Sequence, residues 1–267
     1  MDLTLIWKTV LIGVVEGLTE FLPVSSTGHV ILAAELLKFQ GPPGKVFEIV
    51  IQFGAILAVC FLYRQKIWNT AAGVLRRDRP AMRFAMAIVL AFLPAAIIGV
   101  FAHKYIKSVL FNPTVVAIAL IVGGVVILIV ERFAQRPRIK SIDDVDLKTA
   151  LLIGLCQCLA MVPGVSRAGA TIMGARVFRV DRATATEFSF FLAMPTMLGA
   201  TVYDLYKNWS VLSWDGGGVI ALGFVVAFVS AALVVRAFVA FISRHGFAVF
   251  AWYRIAIGSI ALILLSF

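Results

Sequence analysis

The sequence predicts an all-α fold, a polytopic membrane helical bundle with two re-entrant pairs of broken helices in an inverted repeat. Three observations carry that expectation. The 267 residues are 61% hydrophobic and only 14% charged, with mean hydropathy +1.00, whereas a soluble domain is about 45–50% apolar and about 25% charged. Six apolar runs reach the length needed to cross the hydrocarbon, about 20 residues. Two further regions are short apolar runs broken by polar loops containing Pro and Gly. Non-helical backbone at membrane depth is tolerated only where protein or a water-filled cavity covers it.

In chain order, the short runs 4–15 and 29–38 flank Glu16–Gly28, and the first full span follows at 46–63. Spans are predicted at 81–101 and 114–130. A second broken pair, 149–161 and 170–178, flanks Pro163-Gly-Val-Ser-Arg-Ala-Gly169, and the last spans are 187–206, 218–242 and 247–266. The whole is expected to be a single integral membrane domain, residues 1–267, with repeat halves of roughly 1–130 and 131–267. The N-terminus lacks a basic segment before its apolar run and a small-residue cleavage site, so it reads as mature protein rather than a signal peptide. Cys60, Cys156 and Cys158 sit in apolar stretches without redox or zinc spacing and read as packing residues.

The net charge of +10 lies in short loops between spans, with no nucleic-acid-binding motif, so lipid and topology account for it and nucleic acid is excluded as a partner. Loop 64–80 carries Arg64, Lys66, Arg76, Arg77 and Arg79, and loop 131–148 carries Arg132, Arg136, Arg138, Lys140 and Lys148. Both are expected on the cytoplasmic side, with Arg176, Arg179, Arg182 and the turn near Arg244. Loops 102–113 and 207–217, with few basic residues, are expected outside. The two broken pairs must then enter from opposite faces. Pro23-Val-Ser-Ser26 resembles Pro163-Gly-Val-Ser166, and Glu48 and Glu187 follow them at nearly equal distances, as Gly13 and Gly154 precede them. Such a repeat predicts a site near the midplane, between the broken helices.

Ionisable groups inside lipid are rare and mark function. Glu16 and Glu20 lie one helical turn apart on one face, where they can hold a divalent cation or share a proton. Pro23 stops that helix and sets Ser25, Ser26, Thr27 and the backbone N–H of Gly28 before a new helix start, a ready anion site. Ser26 is the candidate nucleophile, and Ser25 and Thr27 candidate donors to phosphate. N-capping is the plainer role for each hydroxyl. His29 is within reach of Ser26 for proton transfer; His103 and His245 read as structural. Arg167 offers a guanidinium fork that matches phosphate or carboxylate, with Glu16 or Glu20 as its resting partner. Gly164 and Gly169 let backbone approach a ligand, Ser166 supplies a hydroxyl, and Gln52 is a polar lining residue one turn after Glu48. Glu48 and Glu187 open helices, where acids are favoured by the dipole.

The string Glu16-Gly-Leu-Thr-Glu-Phe-Leu-Pro-Val-Ser-Ser-Thr-Gly-His29, seconded by Pro163–Gly169 and Glu187-Phe-Ser189, resembles the bacterial undecaprenyl-diphosphate phosphatase family of the bacitracin-resistance type over essentially the whole chain. The resemblance implies hydrolysis of undecaprenyl diphosphate to undecaprenyl phosphate and inorganic phosphate, recycling the lipid carrier of peptidoglycan and other wall polymers. It implies a multi-pass protein of the bacterial inner membrane, a site opening toward the outer, periplasmic face, and a divalent cation, Mg2+ or Ca2+. It assigns Glu16 and Glu20 to metal or acid–base roles, Ser26 and His29 to the catalytic centre, and Arg167 to the diphosphate. Ala168 stands where the family usually has Ser, which removes one hydroxyl. Covalent attack by Ser26 and direct attack by water both fit these residues. A polyprenyl diphosphate lipid is the expected partner, and a homodimer is the one protein assembly admitted. The alternative reading is a transporter or flippase for undecaprenyl phosphate or a small anion, because broken-helix repeats are also a carrier architecture.

Overall fold

The computed structural model describes residues 2–41, 46–109, 112–207 and 216–266, with backbone only for 102–109. Among the described residues the chain forms eleven α-helices and no strand beyond one parallel bridge, Ile139 to Val180. The first broken pair is α1 (Leu3–Thr19) and α2 (Ser26–Leu36), and the second is α7 (Leu147–Gln157) and α8 (Arg167–Val177). The long helices are α5 (Arg79–Val109), α6 (Pro113–Phe133), α9 (Arg182–Lys207), α10 (Gly217–His245) and α11 (Ala248–Leu265). All five are long and apolar enough to cross a membrane. Large apolar side chains such as Leu93, Val122, Val229, Leu233 and Trp252 stand exposed on them, as a lipid-facing surface requires.

Sequence chemistry sets several boundaries. Asn112 caps α6 by accepting from Val115 N–H at 2.9 Å, with Pro113 at the first helical position, where its missing N–H costs nothing. Asp146 caps α7 by accepting from Thr149 N–H at 2.9 Å.

Three expectations need correction. The predicted loop 64–80 is largely helix: α3 (Val46–Leu62) turns by 71° into α4 (Arg64–Leu75). The segment between Arg64 and Leu75 contains no proline, so charge alone did not break it. The predicted loop 102–113 begins as helix, because no proline or glycine interrupts residues 102–109. Glu187 lies in the second turn of α9 rather than at its start. The predicted loop 207–217 falls mostly outside the described residues, as do the side chains of His103, Lys104 and Lys107.

The most buried long helix is α9. Phe188, Phe190, Leu192 and Ala193 are inaccessible and join residues of α3, α5, α7, α8 and α10 in the main core. Around it the two broken pairs dock on different partners: α1 lies against α10, with Gly13 facing the Gly223 carbonyl, and α7 lies against α5, with Gly154 facing the Ala91 carbonyl. The two loop tips thereby meet beside α9.

Candidate active site

Each tip ends on a serine whose backbone has positive φ, Ser25 at 72° and Ser166 at 74°. L-residues hold such conformations at a cost of about 1–3 kcal/mol, and they concentrate at functional sites. Each serine is the N-cap of the outgoing helix, so the first helical residues are Ser26 and Arg167. The repeat register therefore differs from the proline match: Ser166 corresponds to Ser25, and Arg167 corresponds to Ser26. The spacing from Gly13 to Gly154 and from Gly28 to Gly169 is the same as from Ser25 to Ser166. Ser166 Oγ accepts from Gly169 N–H at 3.1 Å and donates to the Leu22 carbonyl of the other tip at 3.4 Å.

Glu20 is the hub. Its Oε2 accepts from Ser26 Oγ, and its Oε1 accepts from Arg167 Nη2 at 3.1 Å. Arg167 also donates through Nη1 to the Ser189 carbonyl at 3.3 Å, and its guanidinium lies 5.4 Å over the Phe21 ring. Glu16 is buried beside Glu20, close enough to hydrogen-bond if either carries a proton. Two polar atoms here have no hydrogen-bond partner among the described residues: Glu16 Oε1 and Arg167 Nε. Native proteins seldom leave buried polar atoms unpaired. An unpaired acceptor and an unpaired donor at the meeting point of two tips form a site able to receive both a cation and an anion.

The model of the bacitracin resistance protein BacA matches residues 9–260. The chain belongs to the BacA family. Similar curated relatives are the undecaprenyl-diphosphatase 2 of Paramagnetospirillum magneticum, 58% identical over 97% of this chain and 98% of that protein, and the undecaprenyl-diphosphatases of Acinetobacter baumannii, 55% identical over 97% and 96%, and Parvibaculum lavamentivorans, 54% identical over 96% of each.

In this BacA-family chain the other sequence-predicted residues lie as follows. His29 Nδ1–H donates to the Ser25 carbonyl at 2.8 Å and Nε2 pairs with Tyr253 Oη at 2.7 Å, the two rings stacking at 5.5 Å. It makes no hydrogen bond to Ser26 or either carboxylate among the described residues. Thr27 is exposed. Gly28, Gly164 and Gly169 make their close approaches to protein: Val116 on α6 for the first two, and Ser166 and Arg254 for the third. Gln52 is half-buried on α3, without a hydrogen bond among the described residues. Glu187 Oε1 accepts from Tyr63 Oη at 3.3 Å, a structural link between α9 and the α3–α4 bend.

Sequence reasoning missed Arg254. It lies in α11, is 1% exposed, and spends all five of its N–H donors on backbone carbonyls. Nε reaches Leu120 at 3.2 Å; Nη1 reaches Pro23 and Val165, both at 2.9 Å; Nη2 reaches Ala119 and Gly164, both at 3.0 Å. One side chain ties both tips to α6. The signal was present: an ionisable group inside an apolar run is the feature that marks Glu16 and Arg167.

Proposed function

We propose that this BacA-family protein is the phosphatase that hydrolyses undecaprenyl diphosphate to undecaprenyl phosphate and inorganic phosphate, as the names of its relatives indicate for them. The observation that carries the reading is Glu20 held between Ser26 Oγ and the Arg167 guanidinium. A hydroxyl donating to a carboxylate is the geometry of nucleophile and base. A neighbouring guanidinium is the group that stabilises charge on a transferring phosphoryl group. In the step this supports, Ser26 Oγ bonds to the terminal phosphorus and its proton passes to Glu20. The bridging P–O bond breaks, with its electron pair leaving on undecaprenyl phosphate, and water then hydrolyses the phosphoserine. Arg167 exchanges Glu20 for the diphosphate as substrate arrives. His29, with both ring nitrogens engaged away from Ser26, orients the first tip.

A divalent cation, Mg2+ or Ca2+, fits the donor set, because Mg2+ is commonly held by one or two carboxylates together with substrate phosphates. Glu16 and Glu20 would hold it, the unpaired Glu16 Oε1 being the free ligand, and it would neutralise diphosphate charge. The repeat reading rests on the matched motifs and their spacing, and its inverted orientation in the membrane rests on charge. The basic segments 64–80 and 131–148 meet at one end of the bundle, where Lys66 pairs with Asp143 at 2.6 Å and Arg182 with Glu131 at 2.7 Å, supporting a cytoplasmic face there. A cavity of about 400 Å³ runs from Arg167 between Phe92–Val100 of α5 and Thr196–Tyr203 of α9, away from that end. It supports a site that opens toward the periplasm and receives the isoprenoid.

The test is phosphate release from undecaprenyl diphosphate by purified protein in detergent, without any gradient. Release that is abolished in Glu20→Gln and Ser26→Ala, with a phosphoserine trapped by rapid quench of the unaltered protein, is the expected result. Lipid scrambling in liposomes without release overturns the phosphatase reading, and full activity in Ser26→Ala removes Ser26 as nucleophile.

A further inference from the structure

The repeat register that matches Ser25 with Ser166 also matches Glu16 with Gln157, the last residue of α7. Gln157 is 2% exposed; its Oε1 accepts from Thr196 Oγ1 at 3.4 Å, and its Nε2 has no hydrogen-bond partner among the described residues. It lines the same cavity of about 400 Å³ as Arg167, whose Nε is likewise unpaired. The rest of that wall is nearly all apolar, formed by side chains such as Phe92, Ala95, Val100 and Met161. Two buried donors without partners, on two side chains that line one apolar cavity, call for an acceptor carrying several oxygens. A carboxamide can also turn over without changing shape, so Gln157 can always present N–H toward an anionic oxygen.

We propose that Gln157 is a headgroup-binding residue, its Nε2 donating to a phosphate oxygen next to those held by Arg167. The two repeats then divide the labour. The first supplies acceptors for a cation and a proton (Glu16, Glu20), and the second supplies donors for the anion (Gln157, Arg167). A neutral amide adds a donor there without adding a second buried charge to be neutralised when the site is empty. The inference rests on the phosphatase reading above.

The experiment measures kcat and KM for farnesyl and undecaprenyl diphosphates with the full chain in detergent, for the unaltered protein, Gln157→Met and Gln157→Glu. Loss of one hydrogen bond to a charged acceptor predicts a KM about tenfold higher in Gln157→Met, with kcat changed by less than about threefold. The rise is the same for both substrates, because the headgroup is shared. Gln157→Glu keeps the shape and the acceptor facing Thr196 but sets a carboxylate against the diphosphate, and its KM rises by about a hundredfold. It decides the matter if Gln157→Met fails to fold. An unchanged KM in a folded variant overturns the proposal, and so does a rise confined to the undecaprenyl substrate, which would make Gln157 a wall of the tail cavity. Should the unaltered protein release no phosphate, the phosphatase reading fails first. Displacement of a labelled farnesyl diphosphate by its methylene-bridged analogue then tests Gln157 alone: affinity about tenfold weaker in Gln157→Met supports it, and equal affinity overturns it.

Discussion

Arg167 and Arg254 are two buried guanidiniums that reach the same pair of loop tips, and they are held in opposite ways. Arg254 has every donor satisfied by a backbone carbonyl and touches no carboxylate among the described residues. Arg167 leans on one carboxylate, two carbonyls, a thioether and an aromatic face, and leaves Nε without a partner among the described residues, on a side chain that lines a cavity. A saturated cation is committed to the fold, whereas an incompletely satisfied one keeps capacity for a ligand. The difference teaches that burial and charge do not by themselves mark a reactive group; the unfilled bonds do.

The sharpest way to break this contrast is Arg167→Ala. An arginine on a transferring phosphoryl group is worth about 10³–10⁵ in rate, so kcat/KM should fall by about that factor, while the thermal unfolding midpoint falls by less than in Arg254→Leu, because fewer buried acceptors lose their donor. Arg167→Lys should recover little, because an ammonium lacks the planar fork. Arg254→Leu should do the reverse. Five carbonyls lose their donor at once, and with about 1–3 kcal/mol for each buried group left unpaired, the folded state should lose several kcal/mol even after relaxation. Thermal aggregation in detergent reads that loss, and Arg254→Lys, with three donors, should lie between. If Arg254→Leu kept its midpoint and lost only activity, the two arginines would not differ in kind.

The legible and illegible parts of the sequence divide along the same line. The meeting of Glu20 with Arg167 was readable because both interrupt apolar runs at loop tips, where a charge has no lipid-facing solution. Arg254 was passed over because α11 otherwise reads as an ordinary span, and nothing local reveals that its partners are carbonyls of three distant segments. The repeat register slipped by one because Pro23 and Pro163 stand at different distances from the positive-φ serine. An extended tip accepts proline at several positions, but the helix N-cap has one. The bend between α3 and α4 was hidden by charge, since basic residues read as loop while arginine and lysine are good helix formers. Gln157 was unmarked because a neutral amide in an apolar run resembles a packing residue until its unpaired nitrogen is seen.

A smaller effect sharpens the structural half of the comparison. A Cβ added at Gly123 of α6 collides with Arg254 Nη2. Gly123→Ala should push the guanidinium off its carbonyls and cost about 1–3 kcal/mol, as overpacking does. Because Gly123 touches nothing in the Glu20 cluster, KM for undecaprenyl diphosphate should hold while the unfolding midpoint falls. A KM change without a stability change would mean that Arg254 reports on substrate after all.

The smallest effect belongs to a group outside the membrane, on the helix that leads to Gln157. Asp146 accepts from the Thr149 N–H and its hydroxyl, both at 2.9 Å, and the N–H bond chiefly holds its carboxyl below the ordinary value. The folded state therefore favours the ionised form. The contribution is fully present above the unfolded-state pKa of about 3.9 and is lost as pH falls through the lower folded-state value. Asp146→Ala should cost about 1 kcal/mol at neutral pH, as lost N-caps do, and the gap to the unaltered protein should close on acidification. Asp146→Asn keeps a capping oxygen that does not titrate, so it should retain most of the stability at neutral pH and none of this pH dependence. Unfolding midpoints of the three proteins from neutral to acidic pH test the sign: a gap that widened toward acid would place the stabilising interaction on the protonated form and contradict the cap geometry.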